Sequence, residues 1–183
     1  MQKKLLPSFE SERLLVRPRV LGDLEDCLAM DRDPEVTRYI PGPWKDPQAH
    51  RDFVLARMNA DYPAGLGYWS VVARAAPEIF LGWVLLLAYP DEILTEPSDL
   101  LPDSGQVEIG WRFVRAAWGK GYASEAAALI LKHALALPGV HEVVADIDPE
   151  NAGSIRVAEK IGMTFCGERR VDGIWARSYR AQA

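Results

Sequence analysis

One junction, residues 107–137, constrains the fold of this 183-residue chain more than any other stretch. Val107, Ile109, Trp111 and Phe113 alternate with Glu108, Gly110 and Arg112, which predicts a strand with one apolar face. Over residues 121–137, Ala123, Ala127, Ile130, Ala134 and Leu137 recur at helical spacing, and Pro138-Gly139 stops the run. Between strand and helix stands Trp118-Gly119-Lys120-Gly121-Tyr122-Ala123-Ser124-Glu125. Two residues without Cβ atoms let the backbone approach a ligand closely. The first N–H groups of the helix lack intrahelical acceptors, and the helix dipole favours negative charge there. The junction therefore predicts a phosphate cradle. Arg112, Arg115 and Lys120 are the basic residues available nearby in sequence. An ordinary glycine loop before an alanine-rich helix explains the same residues without a ligand.

Two phosphate-binding patterns fail. A Walker loop needs a glycine where Val114 stands and a hydroxyl residue where Gly121 stands. Gly119-x-Gly121-x-x-Ser124 approaches the dinucleotide fingerprint, with Glu142 or Asp146 about 20 residues on. The alternating strand before it argues against that fold, whose first strand is apolar throughout because both its faces are covered. A nucleotide-binding oxidoreductase is thus a minor alternative.

The rest of the chain frames the junction. Residues 13–17 predict a first strand, 23–30 a short helix, and 33–47 a proline-rich loop. Over residues 47–62, Ala49, Phe53, Ala56 and Ala60 predict an amphipathic helix. Residues 66–73 and 79–88 predict two strands. The second is almost uninterruptedly apolar and belongs at the centre of a sheet. Residues 89–105 form an acidic loop, 143–147 a strand, and 151–161 a helix capped by Asn151 and stopped at Gly162. Residues 163–169 and 174–180 close as a hairpin around Asp172-Gly173.

The length suits one domain over residues 1–183. A net charge of −5 argues against a nucleic-acid partner. The longest apolar stretch is too short to span a membrane. Two separated cysteines, Cys27 and Cys166, fit a reduced, cytoplasmic chain, as a monomer or homodimer. No histidine or cysteine spacing predicts a metal, and Asp146-Ile147-Asp148 lacks the glycine and glutamate of a calcium loop. Cys166 reads as a small apolar core residue rather than an acyl-carrying nucleophile.

Val107-Glu108-Ile109-Gly110-Trp111 with Trp118-Gly119-Lys120-Gly121-Tyr122-Ala123-Ser124-Glu125-Ala126 resembles the acetyl-coenzyme A motif of the GNAT superfamily. Asn151-Ala152-Gly153-Ser154 with Glu159-Lys160-Ile161-Gly162-Met163 resembles its following motif, and Ser11-Glu12-Arg13-Leu14-Leu15-Val16-Arg17-Pro18 and Leu81-Gly82-Trp83-Val84 also fit. Together they resemble the branch of ribosomal-protein N-terminal acetyltransferases. Ala116 departs from the Gln or Arg often found at that place. The resemblance implies an α+β, three-layer α/β/α fold. Its sheet would be mixed and mostly antiparallel, of about seven strands, with helices on both faces.

It also implies acetyl-CoA as co-substrate, with no metal, and an acetyl group moved to a primary amine by direct attack in a ternary complex. Phe113, Val114, Arg115, Gly119, Lys120, Gly121, Tyr122, Ala123, Ser124 and Asn151 are the implied acetyl-CoA-binding residues. Asn151 is equally explained as a helix cap. An amine with a pKa near 10 must lose a proton before it attacks. Glu108 matches the position of a base in some relatives, or is a solvent-facing strand residue. Ser154 matches the acid that meets the departing thiolate, or is a small residue of a first helical turn. The acceptor cleft would be shaped by residues 34–62 and 89–105, with Trp44, Tyr39 and Trp69 as aromatic walls. The acidic loop would favour a cationic acceptor, a peptide N-terminus, a polyamine or an aminoglycoside, or is merely a solvated, mobile loop. A non-catalytic CoA-binding module is the main alternative.

Overall fold

A computed structural model of the chain describes residues 6–89, 105–171 and 173–182. The acidic loop expected over residues 89–105 lies outside them except at Tyr89 and Gly105, as does Asp172 of the expected hairpin turn. Among the described residues, the strands are β1 (Phe9–Glu10), β2 (Leu14–Pro18), β3 (Gly67–Ala73), β4 (Ala76–Ala88), β5 (Gln106–Phe113), β6 (Glu142–Ile147), β7 (Thr164–Val171) and β8 (Ile174–Gln182). The helices are α1 (Leu24–Asp31), α2 (Pro47–Asn59), α3 (Tyr122–Leu135) and α4 (Ala152–Lys160).

All eight strands form one sheet in the order β1-β2-β3-β4-β5-β6-β8-β7. Every neighbouring pair is antiparallel except β5 and β6, which α3 joins as parallel strands. The strand beyond the expected seven is β1, whose two residues are too few to show a period. It is held by Phe9 opposite Val16 and by Trp69, whose indole Nε1 donates to the Pro7 carbonyl at 2.8 Å. Trp69 is fully buried, so it is a core residue and not the expected wall of an acceptor cleft.

Alternation along the central strands sends side chains to two different helix layers. Leu14, Val16, Val71, Val84, Leu86, Val107 and Ile109 share one core with Ala126, Ala127, Ile130, Leu131 and Ala134 of α3 and Ile155 and Ala158 of α4. The alanines of α3 let the helix lie close to the sheet, while burial of Ile130 and Leu131 contributes roughly 1.5–3 kcal/mol each. On the opposite face Tyr68 and Trp83 pack with Leu24, Cys27 and Leu28 of α1 and Val54 of α2. The arrangement is three-layered and α+β, and β4 is covered on both faces as its apolar sequence predicts. Burial pushes the Cys27 thiol up to about 12, so it stays protonated and apolar in that second core. No helix among the described residues is long and apolar enough to cross a membrane.

Candidate active site

The parallel pairing of β5 and β6 is short. It joins Gln106, Val107 and Glu108 to Glu142, Val143 and Val144 and then stops. Beyond it β5 stays on β4 as far as Phe113 and β6 stays on β8 as far as Ile147. The sheet therefore splits between residues 109–113 and 145–147, and α4 starts beside the split. Two adjoining hollows open there.

The first hollow, about 420 Å³, is lined by Tyr39 and Ile40 of the loop before α2, by Trp111 to Phe113 of β5, by Trp118, Gly119 and Ala123, and by residues 150–154 with Arg156 and Val157 at the start of α4. It brings together Phe113, Gly119, Ala123, Asn151 and Ser154 of the residues singled out in the sequence. Gly119 and Gly121 have φ of 71° and 79°, left-handed values that a side chain would strain. A Cβ on Gly119 would meet nothing within 4 Å, so the backbone there borders open space. No side chain caps α3, whereas Asp46 caps α2 and Asn151 caps α4. Uncapped amides beside open space suit an anionic ligand.

The second hollow, about 330 Å³, adjoins the first through Tyr39, Ile40, Trp111, Arg112, Asn151 and Ser154. Glu108 lines it from β5, Asp146 and Asp148 from the end of β6, and Trp83, Tyr89 and Trp175 supply aromatic surface. The Tyr89 hydroxyl donates to Asp146 at 2.6 Å; burial, and then that carboxylate, push the phenol well above its ordinary value. Glu108 and Ser154 thus share one hollow although 46 positions separate them in the numbering.

This geometry agrees with the comparisons to known proteins. The model of an acetyltransferase (GNAT) domain matches residues 13–164. The chain belongs to the GNAT acetyltransferase family. The uncharacterised protein YkkB of Bacillus subtilis is 35% identical over 73% of this chain and 70% of its own length. The uncharacterised N-acetyltransferase YnaD of the same organism is 30% identical over 84% of this chain and 80% of its own. A GNAT acetyltransferase of Bacillus anthracis superposes with a TM-score of 0.73 at 29% identity, covering 95% of this chain and 96% of that one. GNAT acetyltransferases use acetyl-CoA, and the first hollow with its uncapped helix fits that anionic co-substrate.

The remaining implied binding residues of this GNAT domain lie around the first hollow rather than in it. Val114 packs on the core, Lys120 is exposed, and Gly121, Tyr122 and Ser124 are half-buried in the first turn of α3 or just before it. Charge is distributed differently from the sequence expectation. Arg115 is turned away into an ion pair with Asp33. Arg112 points to the opposite face of β5, where its Nη1 donates to Asp31 at 2.7 Å, and His50 Nε2 lies 3.2 Å from the same carboxylate. The alternation of β5 imposes this, since Arg112 follows Glu108 and Gly110 to the α1 and α2 side. The cations beside the cradle come instead from distant segments. A Cβ on Gly121 would lie 3.5 Å from Arg13 Nη2 and 3.9 Å from Lys160 Nζ.

Arg13 also fixes the loop. Its Nη1 donates to the Lys120 carbonyl at 3.0 Å, its Nε donates to Glu125 at 2.8 Å, and its guanidinium lies 4.6 Å over the Tyr122 ring. Burial alone would push Glu125 up, but hydrogen bonds from Ser11 and Arg13 outweigh it and hold the carboxyl below its usual value. Trp118, half-exposed at the mouth, is anchored by its Nε1 donating to the Phe113 carbonyl at 2.8 Å. Of the expected aromatic walls, Tyr39 lines both hollows, while Trp44 packs edge-on against His50 and Phe53. The only sequence signal for the Arg13 contacts was the Ser11-Glu12-Arg13 motif itself.

Proposed function

We propose that residues 1–183 form one cytoplasmic acetyltransferase domain that moves the acetyl group of acetyl-CoA to a primary amine by direct attack. The observation that carries this reading is the split of β5 from β6, which makes two hollows that meet at Ser154. The first would take acetyl-CoA, with amides of Gly119, Gly121, Tyr122 and Ala123 at the diphosphate. Asn151 Oδ1 accepts from the Ser154 N–H at 3.0 Å, which leaves its Nδ2 for the pantetheine arm.

The amine enters the second hollow as an ammonium, drawn by Glu108 and Asp148, while Asp146 already faces Arg169 Nε at 3.7 Å. Glu108 takes a proton from it, the freed nitrogen bonds to the acetyl carbonyl carbon, the C–S bond breaks with its electron pair on sulfur, and the nitrogen sheds its second proton to solvent to become the neutral amide. Ser154 gives that sulfur a proton. A peptide N-terminus, a polyamine and an aminoglycoside-like amine all satisfy this chemistry. Likeness to the ribosomal-protein branch favours the first.

The test is release of free thiol from acetyl-CoA in the presence of a panel of these amines. The reading predicts thiol release matched by acetylated amine for at least one class. Tight acetyl-CoA binding with no thiol released by any amine would make the chain a binding module instead.

A further inference from the structure

The indole of Trp111 is unusual among the residues of the split. Its ring packs against the core shared by α3 and α4, yet its Nε1 reaches out of β5 to donate to Ser154 Oγ at 3.2 Å. Trp111 sits opposite Val84 in the ladder with β4, so its backbone is fixed by a central strand. Ser154 is fixed as well, because its N–H is held by the Asn151 cap. Among the described residues no acceptor engages the Ser154 O–H.

We infer that Trp111 is a positioning residue that aims the Ser154 proton at the departing sulfur. This rests on the proposed role of Ser154 as acid. An indole N–H donates and never accepts. A tyrosine, histidine or water in its place would offer an oxygen or nitrogen lone pair, and the serine proton would settle on it. Trp111 fills a lone pair of Oγ and offers nothing in return, so the O–H must turn elsewhere, and Ser154 lines both hollows where they meet. Donation to Oγ also favours the serine oxygen carrying negative charge, which makes its proton easier to give. As the C–S bond breaks, its electron pair stays on sulfur and takes the Ser154 proton. The serine oxygen then regains a proton from solvent in the open cleft.

The experiment is a double-mutant cycle in the full chain with Trp111→Phe and Ser154→Ala, read in kcat and in KM for acetyl-CoA. Phenylalanine keeps an aromatic ring and removes the N–H. Ser154→Ala is expected to lower kcat by roughly a hundredfold, the scale of a lost general acid. Trp111→Phe should lower kcat by about three- to tenfold, the worth of one neutral hydrogen bond, with KM for acetyl-CoA little changed. In the Ser154→Ala background Trp111→Phe should have no further effect. An equal loss in both backgrounds, or a loss expressed in KM, would make Trp111 a packing residue and overturn the inference while leaving the acid in place. Full activity of Ser154→Ala would overturn both. Thermal shift of each variant by acetyl-CoA shows separately that the fold and the first hollow survive.

Discussion

Glu108 and Ser154 approach the second hollow from a strand and a helix turn, one with a carboxyl group and the other with a hydroxyl. If Glu108 takes the proton of the amine, Glu108→Gln leaves the reaction dependent on amine that is already deprotonated. The deficit should then be greatest at low pH, about a hundredfold near neutrality, and shrink as the pH nears the amine's own value of about 10. Parallel pH–rate profiles for the two proteins would remove Glu108 and assign the base to water. Glu108 was legible because strand alternation places it on the face away from Val107 and Ile109. The Trp111 contact was not. Alternation assigns Trp111 to the apolar face correctly, but it says nothing of where one ring nitrogen ends up across a fold.

At the scale of elements, the two readings of Asn151 become separable. Its Oδ1 caps α4 through the Ser154 N–H. Asn151→Ala should lose about 1 kcal/mol of stability, as other lost caps do. Asn151→Asp keeps an oxygen for the cap and loses the Nδ2 donor. Its melting temperature should match wild type while its KM for acetyl-CoA rises; an unchanged KM would leave Asn151 as a cap alone.

A second element junction is electrostatic. Asp23, in the 3-10 turn before α1, accepts from Arg17 of β2 at 2.7 and 2.9 Å and from Ser70 of β3 at 2.7 Å. Burial pushes its carboxyl up, but these bonds and the Val20 N–H more than compensate and hold it below the ordinary value. A native value lowered in this way means the unfolded chain binds the extra proton first. The stabilisation is present above the unfolded value of about 3.9 and is lost as the pH falls through the native one. Asp23→Asn should cost about 2 kcal/mol near neutrality and flatten the acid limb of the melting-temperature profile. An equally steep acid limb in the variant would contradict this. Helices α2, α3 and α4 and the longer strands were legible from periodicity and stop signals. Asp23 joins its neighbours Arg17 and Val20 to Ser70, 47 positions away, and β1 is defined by its partner, so neither leaves a local pattern.

Across the whole molecule, one irregularity organises the rest. A sheet of eight strands parts where its single parallel pair ends, and the helix that links that pair begins with glycines instead of a cap. Sequence order made the junction visible, because strand, glycines and helix are consecutive. The split itself was not visible, since it depends on β6 following β8 while β5 follows β4. Nor were the cations beside Gly121, which arrive from Arg13 near one end of the chain and Lys160 near the other. Calorimetric titration of acetyl-CoA into the wild type and into Gly121→Glu tests this account most directly. A side chain at Gly121 is strained by the φ of 79°, at about 1–2 kcal/mol, while the space beside it admits a Cβ at van der Waals distance from Arg13, and the melting curve of the variant checks that it folds. The expected result is binding by the wild type and its loss in the folded variant, where a carboxylate would stand among the amides. Equal affinity in both would contradict it.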